Sequence, residues 1–173
     1  RSHSMAYALL AFQTAYLKAH YPAYFYASVL SHEAQDSAKV YKYSTELRSM
    51  GLELLPPDVN ESGEGFTPVD KTVRYGLTAI KGMGTTSVQA MVEARKTGEF
   101  TSLYDFCGRL GSGAVNRRGL ESLIAAGAFD SLMPQSTQIG SWRAQLNAAI
   151  ESALQQGQRV AEDRMRGQSG LFG

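Results

Sequence analysis

The stretch Leu77-Thr78-Ala79-Ile80-Lys81-Gly82-Met83-Gly84-Thr85-Thr86-Ser87-Val88 decides how this chain is read. Ile80 precedes Gly-x-Gly, with Met83 between the glycines, and a polar Thr85-Thr86-Ser87 run then leads into apolar residues. That order predicts a tight turn entering a helix. Glycines let backbone turn sharply and approach a ligand without a side chain in the way. The helix start offers unpaired N–H groups and a partial positive charge to an anion. Lys81 adds a mobile cation, and the hydroxyls of Thr85 and Thr86 add donors. A site of this kind suits a phosphodiester backbone and is blind to base edges. A plainer reading also fits, with Gly82 and Gly84 merely ending one helix and starting another. A dinucleotide-binding loop does not fit, because the third glycine it needs is Ser87 here.

About 45 residues on, Leu123-Ile124-Ala125-Ala126-Gly127-Ala128-Phe129 has the same outline with one glycine, and Arg117 and Arg118 precede it. Together the two segments look like a tandem helix-hairpin-helix, an arrangement that grips both strands of a duplex. The residues assigned to DNA on this reading are Lys81, Gly82, Met83, Gly84, Thr85, Thr86, Arg95, Arg117, Arg118 and Gly127. Charge agrees in sign. Residues 71–143 hold 9 Lys and Arg against 5 Asp and Glu, residues 1–70 hold 5 against 8, and residues 144–173 hold 3 of each. A local basic excess suggests a polyanion partner.

The rest of the pattern is mainly α. A helix is expected over 4–20, apolar nearly all round and therefore buried against a larger body. Pro22 suits the first turn of a helix to His32. A third helix runs from about Asp36 to Met50 and stops at Gly51. Pro56-Pro57 forbids helix, so 52–59 is extended, with short strands at 66–69 and 73–77 forming a small β patch. Helices follow at Thr86–Lys96, Val115–Ala126 and Ser141–Gln155. Beyond Gln155 the chain turns polar and is expected to lose fixed structure.

Other chemistry finds little support. The longest apolar run, Met5 to Phe12, is too short to span a membrane. One cysteine, Cys107, excludes an internal disulfide, and with no His close by it reads as a small core residue. His20 and His32 lack metal-ligand spacing. Asp58, Asp70, Asp105 and Asp130 stand singly, so no carboxylate cluster for a two-metal reaction is visible, and neither catalytic nor metal-ligating residues are assigned. The abrupt opening at Arg1 and the composition suggest an excised piece of a cytoplasmic protein.

Arg1-Ser2-His3-Ser4-Met5-Ala6-Tyr7-Ala8-Leu9, Leu17-Lys18-Ala19-His20-Tyr21-Pro22 and Leu55-Pro56-Pro57-Asp58-Val59-Asn60 resemble the alpha subunits of bacterial polymerase III, the C-family replicative DNA polymerases. Tyr75-Gly76-Leu77, Ile80-Lys81-Gly82-Met83-Gly84, Val115-Asn116-Arg117-Arg118, Ala126-Gly127-Ala128-Phe129-Asp130 and Gln168-Ser169-Gly170-Leu171-Phe172 continue the match in order. The resemblance implies that residues 1–70 close the polymerase fingers, 71–133 form a tandem helix-hairpin-helix, and 134–173 form a helix and a clamp-binding tail. It places Arg1, Ser2, His3 and Ser4 near the incoming nucleotide, although a polar helix start explains them equally well. It makes Gln168, Leu171 and Phe172 a motif for the sliding clamp. It puts the Mg²⁺-binding aspartates in a palm outside this sequence, so the fragment alone is expected to be inactive. The partners implied are duplex DNA, the clamp and the remaining polymerase, in cytoplasm at the nucleoid. Two other classes stay open: a DNA-repair enzyme with a single hairpin, and a tethering module without DNA affinity. Lyase-type repair enzymes carry Lys just after the second glycine, where this chain has Thr85.

Overall fold

The computed structural model describes residues 2–111 and 113–169. Seven helices surround a three-stranded sheet: α1 (Ser2–His20), α2 (Pro22–His32), α3 (Ser37–Ser49), then β1 (Glu53–Leu55), β2 (Thr67–Val69) and β3 (Thr72–Arg74), then α4 (Thr85–Ala94), α5 (Leu103–Leu110), α6 (Arg117–Ala126) and α7 (Ile139–Ser169). The mainly α class expected from the sequence is what forms. Pro22 starts α2, and the Asp36 carboxylate accepts from the N–H groups of Ala38 and Lys39 to cap α3.

The sheet has order β1-β3-β2. Leu54 faces Val73 in a parallel pair, and Pro68 faces Val73 in an antiparallel one. Pro68 lies on an edge strand, where a missing N–H costs no ladder bond. Ala23, Tyr26, Ala27 and Leu30 of α2 pack with Val40 and Leu47 of α3 against Phe66 and Val73. A second, larger core takes residues from α4 to α7. At its centre Phe106 meets Phe100 at 4.9 Å and Phe129 at 5.1 Å, both edge-on, a geometry favoured by the ring quadrupoles. Leu146, Ile150 and Ala153 bring α7 into this core, and Val59 reaches it from the Pro-Pro segment.

Three expectations need correction. The first concerns α1, whose Met5, Leu9, Phe12 and Tyr16 are exposed and not buried, Phe12 to 66 %. Within the described residues α1 is tied down mainly at its end, where Lys18 pairs with Glu46 of α3. The second concerns the tail, because α7 continues as helix from Gln155 to Ser169. Polarity alone does not end a helix, and Gln, Arg, Ala, Glu and Met are all strong helix formers. The third is α5, which the hydrophobic pattern left unassigned; Ser102 caps it by accepting from the N–H of Asp105 at 3.0 Å.

The midpoint of α7 crosses α5 closely. A Cβ on Gly157 would lie 2.6 Å from the Cys107 carbonyl oxygen. Gly157→Ala gains about 1 kcal/mol of helix propensity, but overpacking against backbone costs about 1–3 kcal/mol. Thermal unfolding should therefore show a lower midpoint for this variant; an unchanged or higher one contradicts the packing.

Candidate nucleic-acid interface

The first hairpin is built by conformation. Leu77–Ala79 form a 3-10 turn, Gly82 takes φ 86°, and Gly84 sits at the N-cap of α4 with φ −85° and ψ 153°. No side chain caps α4, and its first internal bond is Val88 N–H to Gly84 O at 3.1 Å. The N–H groups of Thr85, Thr86 and Ser87 therefore remain available at the positive end of the helix. Met83, between the glycines, is buried and anchors the loop.

The second helix start lies elsewhere than the sequence suggested. Gly127 closes α6 instead of opening a helix. It is left-handed at φ 85°, with Gly127 N–H to Ile124 O and Ala128 N–H to Leu123 O, the two bonds of a C-terminal cap. A Cβ there would meet Arg143 Nη2 at 2.6 Å and Asp130 Oδ2 at 2.7 Å. What faces the first loop is the turn at Gly113–Asn116 that begins α6. A small cleft of about 70 Å³ lies between Gly82, Met83 and Ser87 on one side and Gly113, Ala114, Asn116 and Gly119 on the other. Asn116 Oδ1 caps α6 by accepting from Gly119 N–H at 2.9 Å. Gly119 is required because a Cβ would be 2.9 Å from Val115 Cγ1. The starts of α4 and α6 thus share one surface.

The basic residues divide sharply. Arg95 turns inward, donating to Val59 O at 3.1 Å; burial pushes its guanidinium below the ordinary value, and the Asp58 carboxylate opposes that. Arg117 is exposed but pairs with Glu121 at 2.9 Å and Glu151 at 3.6 Å. Arg109 bonds Gly98 O and Thr97 and covers the Phe100 ring at 4.6 Å. Arg143 bridges Asp130 and Ala125 O. Among the described residues, Lys81 and Arg118 are exposed and make no ion pair. The lone carboxylates are structural as well: Asp105 pairs with Arg109, Asp130 with Arg143, and Asp58 accepts from Asn60 N–H at 2.7 Å. Among the described residues no three His, Cys, Asp or Glu side chains gather to hold a metal ion. Burial raises the Cys107 thiol to about 11. Arg1, Leu171 and Phe172, and the side chains of Ser2, His3 and Gln168, lie outside the described residues; Ser4 is exposed near the start of α1.

Two glycine-hinged helix starts on one face, with free cations beside them, define a backbone-binding module, and comparison agrees. The family pattern described as "Helix-hairpin-helix motif" matches residues 51–139, so the chain belongs to the helix-hairpin-helix family. Over 99 % of its length it is 45 % identical to a DNA polymerase III subunit alpha of Neisseria meningitidis and 44 % identical to that of Deinococcus radiodurans. The Thermus aquaticus subunit is 45 % identical over all of the chain. These matches occupy 14 %, 12 % and 13 % of the relatives' own lengths.

The two glycines of the first loop should respond differently to substitution. Gly82→Ala forces a side chain into left-handed backbone, a cost of about 1 kcal/mol. At Gly84 a Cβ meets nothing within 4 Å, so Gly84→Ala should stay within about 0.5 kcal/mol of the parent in chemical denaturation. Equal destabilisation by the two would refute this assignment.

Proposed function

We propose that the chain works as part of a replicative DNA polymerase, holding the backbone of duplex DNA without sequence preference. The observation that carries this is the pair of helix starts, at Thr85 and at Arg117, opening on one surface beside Lys81 and Arg118. N–H groups and mobile cations satisfy phosphate oxygens and leave base edges unread. The exposed apolar face of α1 supports contact with the remaining polymerase, since patches of that kind mark interaction sites. Mg²⁺ and the nucleotidyl-transfer carboxylates belong, on this reading, to polymerase outside this sequence, and the 173-residue chain alone incorporates no nucleotide. Residues 1–4 sit near the incoming nucleotide in the assembled enzyme. The Gln168-Ser169-Gly170-Leu171-Phe172 motif docks on the sliding clamp, with Leu171 and Phe172 entering an apolar pocket as anchors. The setting is cytoplasmic; no helix among the described residues is long and apolar enough to cross a membrane.

Titration with duplex DNA tests the main reading. With about two phosphates neutralised, log K should fall against log salt with a slope of roughly −1.8. Gly84→Leu, which the fold accommodates, should weaken binding at least about tenfold by blocking backbone approach. Salt-independent binding, or full affinity in Gly84→Leu, refutes it. The clamp contact is tested separately by titrating clamp against the parent and Leu171→Ala/Phe172→Ala. An affinity on the order of micromolar is expected for the parent, since ordering a short segment is costly. Equal affinity for both proteins rejects the contact.

A further inference from the structure

Beside the hairpin lies a larger cleft, about 560 Å³, bounded by α3, the sheet and the Lys81-Gly82 turn. Its α3 wall consists of Ser37, Val40, Tyr41, Ser44 and Arg48, residues spaced to share one helical face. Arg48 and Lys81 both line it, both are exposed, and neither forms an ion pair among the described residues; no carboxylate lines it. Tyr41 is 74 % exposed at its edge. Tyr75 forms the opposite wall, its ring held by Phe66 at 4.6 Å. Ser44 is 6 % exposed, faces this cleft, and its hydroxyl has no hydrogen-bond partner among the described residues. An unpartnered buried hydroxyl in a cavity wall is costly unless something in the cavity bonds it.

We propose that this cleft receives an unpaired nucleotide of the DNA strand whose phosphates the hairpin holds. This deepens the proposed function and rests on it. Lys81 and Gly82 belong to both sites, so a strand leaving the hairpin passes into the cleft without a gap. Arg48 and Lys81 flank its phosphate, Tyr41 offers a ring face for stacking, and Ser44 supplies a hydrogen bond. Stacking on an aromatic side chain tolerates any base, in keeping with a hairpin that reads none. The volume lies within the range of small-ligand sites and is too narrow for a duplex.

The experiment compares a blunt duplex with the same duplex carrying a short single-stranded overhang, both titrated by fluorescence anisotropy with the complete chain. The parent should prefer the overhang by about tenfold, the scale of one stacked base. Tyr41→Ala/Arg48→Gln, both changes at exposed positions, should abolish that preference while leaving blunt-duplex affinity and thermal stability in place. A parent with no preference, or a double variant that keeps it, overturns the proposal. Gly84→Leu separates the two readings, because it should weaken both probes together; blunt-duplex affinity that it leaves untouched counts against the hairpin alone, and the overhang ratio still decides the cleft.

Discussion

One side-chain amide joins the two halves of this molecule. Asn60 donates from Nδ2 to Phe100 O at 2.9 Å and accepts at Oδ1 from Phe100 N–H at 2.7 Å. Phe100 is buried in the larger core, so its backbone groups would otherwise have to be satisfied there without water. Each such group left unpaired costs about 1–3 kcal/mol. Around this amide the Pro-Pro segment is fastened by Val59 N–H to Ala128 O and by Arg95 to Val59 O. The chain leaving the sheet is thereby seated on the helices that carry the hairpin. The match to the family pattern from residue 51 onward is understandable on these terms: the module needs its incoming strand as a strut.

The basic middle of the sequence is mostly consumed inside the fold. Arg95, Arg109 and Arg143 each satisfy backbone carbonyls. Arg74 and Arg117 are held by glutamates. A count of charges therefore overstates what faces a polyanion. The helix starts matter more, because their N–H groups are fixed in place and lose little entropy on contact, whereas a lysine must be ordered.

The first hairpin was legible because Gly-x-Gly followed by small hydroxylated residues leaves few conformations open. The capped start of α3 and the proline start of α2 were legible for similar local reasons. Gly127 misled because glycine after an apolar helical run is equally a stop and a turn, and only the residues after it decide: a 3-10 turn follows, and Arg143 closes over it. The opening of α6 carried a signal in Asn116, three residues before Gly119, that went unused; Ser102 before Asp105 was another. Arg95 could not be placed, since a stem that packs and a head that binds look alike in sequence. The exposure of α1 was beyond local reasoning too, because an apolar helix says that something covers it without saying what.

The length of α7 changes the mechanics at the end of the chain. Ala161 is still half-buried against Gly111, and helix continues from Glu162 to Ser169. At 1.5 Å per residue those eight positions carry the backbone about 12 Å outward. Bedded at Gly157 on the α5 backbone, the helix behaves as a boom on a fixed mount. Cargo joined after Ser169 starts from a set bearing and a set stand-off, and the volume it searches is displaced away from the hairpin face.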